Sequence, residues 1–337
     1  PVIPDLPGLQ GSGFLTSDTV WHAFAQMDAI PRRIVVLGGG PIGCELSQAF
    51  ARLGADVTLI ERGAQLLPRE DTDVAQLARG ALAAAGVTVL TGHEAAGVDC
   101  QGEKCVIAKA KGGEVAVAFD ALIVAIGRAA RLTGYGLEDL GIETQQTVVT
   151  DEYLATLYPN IYAAGDAAGP YQFTHTAAHQ AWFASVNALF GQFWRFKADY
   201  RVIPRATFID PEIARVGLNE QEAAEQGIAH EVTLFPLHEL DRAITESAVQ
   251  GFVKVLTPPG KDRILGVTIV GEHAAELLAE YVLAMKHGLG LNKILATIHT
   301  YPTMTEANKF AAGEWKKKRA PRRLLGLLER YHTWRRG

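Results

Sequence analysis

Cysteine is scarce in this sequence, with three residues in 337. That excludes a small secreted domain stapled by disulfides. Long apolar runs are also missing. None approaches the roughly 20 residues needed to span a bilayer. The best candidate, "AAELLAEYVLAM", carries Glu276 and Glu280 and reads as an amphipathic helix. No signal peptide is visible, and the first residue is Pro1 rather than methionine. The expectation is a cytoplasmic protein. The opening "PVIPDLPGLQGSGF" is a Pro/Gly-rich connector. Proteins rarely begin in such a segment, so the further expectation is that something upstream has been removed.

With 48% hydrophobic residues the chain can bury a large core, which excludes disorder. Its length suggests two or three domains. The net charge of −5 is unevenly spread. Residues 315–337 hold nine Lys/Arg and one acid, Glu329, and the remainder carries 23 basic and 36 acidic residues. An acidic body repels phosphates, so nucleic acid is not expected as a partner.

Cys100 and Cys105 in "CQGEKC" have four residues between them. That spacing occurs in some redox disulfides. Here "GVDCQGEKCVIAKAKGGEVAVAF" reads as strand, turn, strand, turn, strand. A reactive pair is better served by a helix N-terminus, which lowers thiol pKa. Two thiols flanking a hairpin is the simpler reading. Cys44, inside the first long helix, reads as a packed small hydrophobe.

The strongest signal is "RRIVVLGGGPIGCELSQAFARLGADVTLIER". "IVVL" is a short buried strand. Gly38, Gly40 and Gly43 form G-x-G-x-x-G. "CELSQAFARLG" continues as a helix with Leu46, Phe50 and Leu53 at three- and four-residue steps, and "DVTLIE" is the next strand. Gly38 permits a tight turn, Gly40 lets backbone approach a pyrophosphate, and Gly43 allows close helix–strand packing. The helix N-terminus offers unpaired N–H groups to phosphates. Glu61 ends the second strand, 23 positions after Gly38. An acid there accepts hydrogen bonds from a ribose and repels a 2′-phosphate, favouring NAD(H) over NADP(H). Arg62 pulls the other way, because an arginine can receive that phosphate. The fingerprint alone suits either FAD or NAD.

In this order, several motifs resemble the pyridine nucleotide–disulfide oxidoreductases, such as dihydrolipoamide dehydrogenase, glutathione reductase and mercuric reductase. They are the fingerprint, "VAIGR", "PNIYAAGDAAG", "FIDPEIARVGLNEQEA", "TESAVQGFVKVL" and "YPTMTE". The resemblance covers essentially the whole chain. It implies an α/β fold: a Rossmann-like NAD-binding domain with an inserted β-meander, part of an FAD domain, and an α+β C-terminal dimerisation domain. The implied boundaries are 1–25 for a linker and FAD-domain remnant and 26–146 for the NAD domain. Residues 147–200 would be the second part of the FAD domain, 201–314 the interface domain, and 315–337 a basic amphipathic tail. By the same resemblance Gly127 closes the NAD domain, Glu45 lies near the nicotinamide–flavin junction, and Asp166 hydrogen-bonds the ribityl chain of FAD. Only one fingerprint is present. The resemblance therefore implies a fragment of a larger flavoenzyme whose N-terminal FAD half is absent, with FAD belonging to the full-length protein.

The segment "IHTYPTMTEANK" sits where the family carries "HPTxxE". There Tyr301 replaces the catalytic histidine, while Glu306 is kept. Tyrosine titrates far above neutrality, so Tyr301 with Glu306 cannot copy His–Glu acid–base chemistry. His299, two residues away, can share a face with Tyr301 on an extended segment and so substitute. Tyr301 is either an acceptor contact, as in mercuric reductase, or an interface aromatic. His175 and His179, four apart on an expected helix, lack further ligands and read as packed or interface histidines, so no metal site is expected.

In the tail, Leu324, Leu325, Leu328 and Tyr331 make a helical stripe beside many cations. Such a helix can lie on an anionic membrane surface, or dock on the acidic body or a partner subunit. The functional expectation is hydride transfer from NADH to FAD and on to a small-molecule or protein electron acceptor, in a homodimer formed through 201–314. Two alternatives stand beside it: a non-catalytic NAD-binding and dimerising module, and a peripheral membrane NADH dehydrogenase with its membrane contact through 315–337.

Overall fold

The computed structural model describes the chain from residue 1 to 337, except the side chains of residues 322–324. The chain folds into two compact units: Pro1–Arg69 with Ala78–Ile203, and Glu70–Leu77 with Pro204–Gly337.

The first unit opens with β1 (Leu15–Thr16) and α1 (Val20–Phe24), then β2 (Arg33–Leu37), α2 (Pro41–Arg52) and β3 (Asp56–Glu61). Next come α3 (Thr72–Ala84), whose first turns belong to the second unit, and β4 (Thr88–Thr91). β5 (Glu94–Asp99), β6 (Cys105–Ala110) and β7 (Gly113–Ala118) form an antiparallel meander, and β8 (Ala121–Val124) follows. The main sheet is parallel throughout, in the order β1-β8-β2-β3-β4. Ile34 to Leu37 of β2 and all of β8 are buried, as expected of parallel strands covered on both faces. One core joins Val35, Leu37, Ile60, Leu122 and Val124 of the sheet to Val98, Val106 and Ala108 of the meander. On α2, Gly43, Cys44, Leu46, Ser47 and Phe50 are buried at helical spacing. From Gly141 onward this unit is mostly irregular, apart from a 3-10 turn at Gly165–Ala167 and α4 (Thr174–Phe190).

The second unit contains β9 (Pro204–Thr207), β10 (Glu212–Gly217), α5 (Glu220–Glu225), β11 (Glu231–Pro236), α6 (Asp241–Thr245), β12 (Phe252–Thr257) and β13 (Gly266–Gly271). α7 (Ala274–Lys286), α8 (Leu291–Ala296), α9 (Glu306–Lys318) and α10 (Arg322–Arg336) complete it. The sheet is antiparallel, ordered β11-β12-β13-β10-β9. α7 packs on β9, β10 and β13, and α9 packs on β11 and β12.

Two cations lie inside this unit. Arg215 on β10 and Lys254 on β12 both register with Thr268 on β13, so the three form a row across the sheet. Arg215 meets Glu70 at 3.1 Å and Glu222 at 2.7 Å. Lys254 meets Asp71, Asp73 and Glu220 at 3.2, 2.6 and 2.7 Å. The Asp71 carboxylate also accepts the N–H groups of Glu220 and Gln221 at the start of α5. This network is why 70–77 belongs to the second unit, although its place in the sequence puts it within the NAD-binding domain.

The basic stretch expected to form one tail from residue 315 is divided in the structure. Trp315 to Lys318 belong to α9, and Trp315 is buried. Lys316 donates to Asn292 Oδ1 at 3.0 Å, and Arg319 pairs with Glu231 and lies over the Trp315 ring. α10 follows as a separate helix. Leu324 of the expected stripe lies outside the described side chains, while Leu325, Leu328 and Tyr331 are exposed.

Candidate functional site: a nucleotide cradle and a carboxyl-terminal loop

The glycine fingerprint links the end of β2 to the start of α2. Gly38 has φ +106°, and a Cβ there would sit 2.6 Å from the Ala125 carbonyl oxygen. A Cβ on Gly43 would sit 1.8 Å from the Gly38 carbonyl oxygen, so α2 reaches this depth only with glycine. Gly40 differs, because nothing lies within 4 Å of where its Cβ would be. It is the N-cap of α2, with Pro41 at the first helical position. The open side of Gly40 thus meets the unpaired N–H groups of the first helical turn, a fitting cradle for a pyrophosphate.

Glu61, at the end of β3, turns back on this loop. Its Oε2 accepts the Gly39 N–H at 2.6 Å and its Oε1 the Gly63 N–H at 2.5 Å. A carboxylate has about four acceptor positions, which leaves roughly two for a ribose hydroxyl. Arg62 is exposed and bonds to no described residue. Glu45 is half-buried on the first turns of α2. The Cys44 thiol contacts the Gly39 carbonyl at 3.4 Å. Burial, with the charges of Glu45 and Glu61, pushes its pKa up to about 12, so it packs and does not react. Gly127 is exposed beyond β8, and its carbonyl accepts the Val2 N–H at 2.9 Å.

Asp166 sits in the 3-10 turn Gly165–Ala167, half-buried, and its carboxylate makes no hydrogen bond among the described residues. It is therefore available to a hydroxyl-bearing ligand. The turn is held by Gln180 of α4, a residue that no sequence motif singles out. Gln180 Oε1 accepts the Gly165 N–H at 2.6 Å, and its Nε2 donates to the Gly169 carbonyl and the Tyr200 hydroxyl, each at 2.7 Å. No local pattern marks a glutamine in "AAHQAWF" as a loop clamp.

In the second unit, the loop before α9 does not bring Tyr301, His299 and Glu306 together. Tyr301 is 67% exposed, and its hydroxyl donates to Asp241 at 3.1 Å. That bond raises the Tyr301 pKa still further, with the negative charge of Asp241 adding to it. Glu306 is buried at the start of α9, and its Oε2 accepts the Thr303 N–H at 3.3 Å. His299 does not share a face with Tyr301. Its side chain is 5% exposed, with Nε2 3.1 Å from Glu280 and Nδ1 3.1 Å from the Thr297 carbonyl. Asn308 steadies that pair by donating to Glu280 at 2.9 Å. The interior thus claims His299 and leaves Tyr301 outside. Glu280, Asn308 and Asp241 carry this arrangement from other elements, so only their positions in space reveal it.

The other expected sites are quieter. His175 and His179 are exposed on α4; the His175 ring stacks on Phe173, and the His179 ring meets Phe183 edge-on. No group of metal ligands occurs among the described residues. Cys100 and Cys105 are free thiols at the β5–β6 turn. An apolar groove of about 400 Å³ runs along α7 between Pro204, Leu278, Val282 and Leu283. Its only ionisable lining residue is Lys286, so it is a packing surface rather than a reaction site. No helix among the described residues is long and apolar enough to cross a membrane.

Known proteins share this plan. Residues 1–181 match the family model of the pyridine nucleotide-disulphide oxidoreductases, and residues 203–312 match the dimerisation domain of the same family. A dihydrolipoyl dehydrogenase of Thermus scotoductus is 36% identical over 89% of the chain, and a mercuric reductase of Streptomyces lividans is 34% identical over 93%. The chain spans 66% and 65% of their respective lengths, a little under two thirds. Among solved structures, the HOCl-induced flavoprotein disulfide reductase RclA from Escherichia coli superposes with TM-score 0.82 at 27% identity, covering 93% of this chain and 71% of that one. With both family models matched in sequence order and the glycine cradle in place, the chain belongs to the pyridine nucleotide-disulphide oxidoreductases.

Proposed function

We propose that the chain is the nucleotide-binding and dimerising part of a flavin-dependent oxidoreductase that takes hydride from NADH, passes it to FAD and sends electrons on to an acceptor. The observation that carries this reading is the cradle at Gly38, Gly40 and Gly43, with Glu61 folded against it. Bound pyridine nucleotide and flavin would supply the hydride chemistry. The chain's own residues bind and orient. The α2 N-terminus and the open side of Gly40 hold the pyrophosphate. Glu61 takes the ribose hydroxyls and disfavours a 2′-phosphate. Glu45 flanks the nicotinamide end, Gly127 borders the nucleotide, and Asp166 holds the flavin's ribityl chain. The homodimer forms through residues 201–314, consistent with the matched dimerisation domain.

Tyr301 faces the acceptor as a hydrogen-bond donor and not as a base, because Asp241 moves its proton further out of reach. His299 is buried on Glu280 and does not replace the missing base. This favours an acceptor that needs no protein base over thiol–disulfide exchange. Membrane contact is a separate reading, and with Trp315 to Lys318 held in α9 it falls to α10.

The test is the visible spectrum of the purified chain before and after NADH. A flavin band near ~450 nm that bleaches on addition supports the oxidoreductase reading. Absence of the band supports the second reading, a nucleotide-binding and dimerising module. Tighter binding of NADPH than of NADH would overturn the role given to Glu61 and assign Arg62 to a 2′-phosphate.

A further inference from the structure

We infer that α10 docks the chain on an anionic phospholipid bilayer, lying flat in the headgroup plane. The inference does not rest on the redox reading. α10 runs from Arg322 to Arg336, about 22 Å of helix. Leu327, Tyr331 and Trp334 fall at i, i+4 and i+7 and form one stripe, with Leu328 beside it. All four are exposed, Trp334 by 77%. Thr333 and Arg336 fall on the far side of the helix by spacing, whereas Arg330, three after Leu327 and four before Trp334, and Arg335, four after Tyr331, border the stripe on its two edges. An arginine stem at a helix end can snorkel, keeping its charge in the headgroups.

Charge decides the occupant. Residues 320–337 hold five arginines and one acid, whereas the whole chain carries −5. The cations just before them are already engaged: Lys316 with Asn292, Lys317 with Glu314, and Arg319 with Glu231. Arg330, Arg335 and Arg336 bond to nothing among the described residues. A bilayer of anionic lipid offers an apolar layer and negative charge at adjacent depths, matching an apolar stripe edged with arginine. Tyrosine and tryptophan are the aromatic residues that belong at that boundary. The acidic remainder of the chain would be repelled by the same surface, leaving α10 as the element that touches it.

The experiment is sedimentation of the full chain with phosphatidylcholine vesicles and with vesicles in which part of the lipid is phosphatidylglycerol. Each arginine near an anionic surface is worth about fivefold in binding. The chain should therefore bind the anionic vesicles at least about tenfold better than the neutral ones, and lose that preference in high salt. Arg330→Ser with Arg335→Ser should cost at least about tenfold. Leu327→Glu with Trp334→Glu should abolish binding; these exposed positions leave the fold intact, checked by circular dichroism. Tryptophan emission should shift to the blue on binding, and Trp334→Phe should remove the shift. Equal binding to both vesicle types, no binding, or binding unchanged in the Leu327→Glu/Trp334→Glu variant overturns the inference. So does lipid-free self-association that the same variant abolishes, which would assign the stripe to a second copy of the chain. NADH bleaching of any flavin band is read separately, so either proposal can fail alone.

Discussion

Arg215→Met tests the buried ion network of the second unit. The Arg215 side chain is fully buried, with Nε 3.1 Å from Glu70 and two further nitrogens 2.7 and 3.0 Å from the oxygens of Glu222. Removing one partner of a buried pair costs about 3–5 kcal/mol, because the charge left behind cannot regain its water. Two features place the loss at the low end of that range. The Glu222 side chain is 28% exposed and can rehydrate. Glu70 is buried, and burial already raises its pKa against the pull of Arg215, so without the arginine it can take up a proton. The expected loss is about 3 kcal/mol, or a urea midpoint lower by about 1–2 M. Emission of Trp315 is the readout, since it is the buried tryptophan and lies in this unit. Arg215→Met with Glu70→Leu removes the stranded acid and should recover to within about 1 kcal/mol of the native chain, as apolar replacements of buried ion pairs often do. A single variant as stable as the native chain would refute the reasoning. A double variant no better than the single one would refute it equally.

The raised pKa of Glu70 also sets a pH dependence. Because the native state binds this proton more tightly than the unfolded state, its stabilising contribution is complete below the ordinary carboxylate range and is lost as pH rises through the raised value. Glu70→Gln should therefore flatten the change in urea midpoint from the carboxylate range towards neutrality, and an unchanged slope would remove Glu70 as its source. With the Cys44 pKa near 12, roughly one thiol in ten thousand is ionised at pH 8. Titration with a thiol reagent should find exposed Cys100 first and Cys44 only after unfolding, whereas rapid native labelling of Cys44 would show that burial does not control it.

The nucleotide fold was legible because its signals are local. "IVVL" sits within β2, the glycines lie in the turn that follows, and Glu61 ends β3. The three short runs around Cys100 and Cys105 became β5, β6 and β7. Their alternation, turns and spacing can be read within a dozen residues. The C-terminal loop was less legible. Tyr301, His299 and Glu306 are neighbours in sequence, but their partners are Asp241, Glu280 and Thr303. Asp241 lies 60 residues upstream of Tyr301. Side-chain direction there is set by which group the interior can satisfy, and residue spacing does not record that. The ion network was invisible for the same reason: Asp71 reaches Gln221 and Lys254 across 150 and 183 residues. The division of the basic stretch between α9 and α10 was not legible because a run of lysines looks alike whether it ends one helix or begins the next.

The Gln180 clamp bears on how sequence variants of this chain are judged. Its amide receives one hydrogen bond and gives two, and only a side chain with both a carbonyl and an NH2 group does that. Glutamate has the same shape and is commonly scored as a mild exchange. At this position it would retain the bond from Gly165, lose the donation to Gly169, and turn the contact with Gly169's carbonyl into repulsion. A variant with every motif letter of "AAGDAAG" intact would thus carry a deformed turn at Asp166, its cause lying outside the motif.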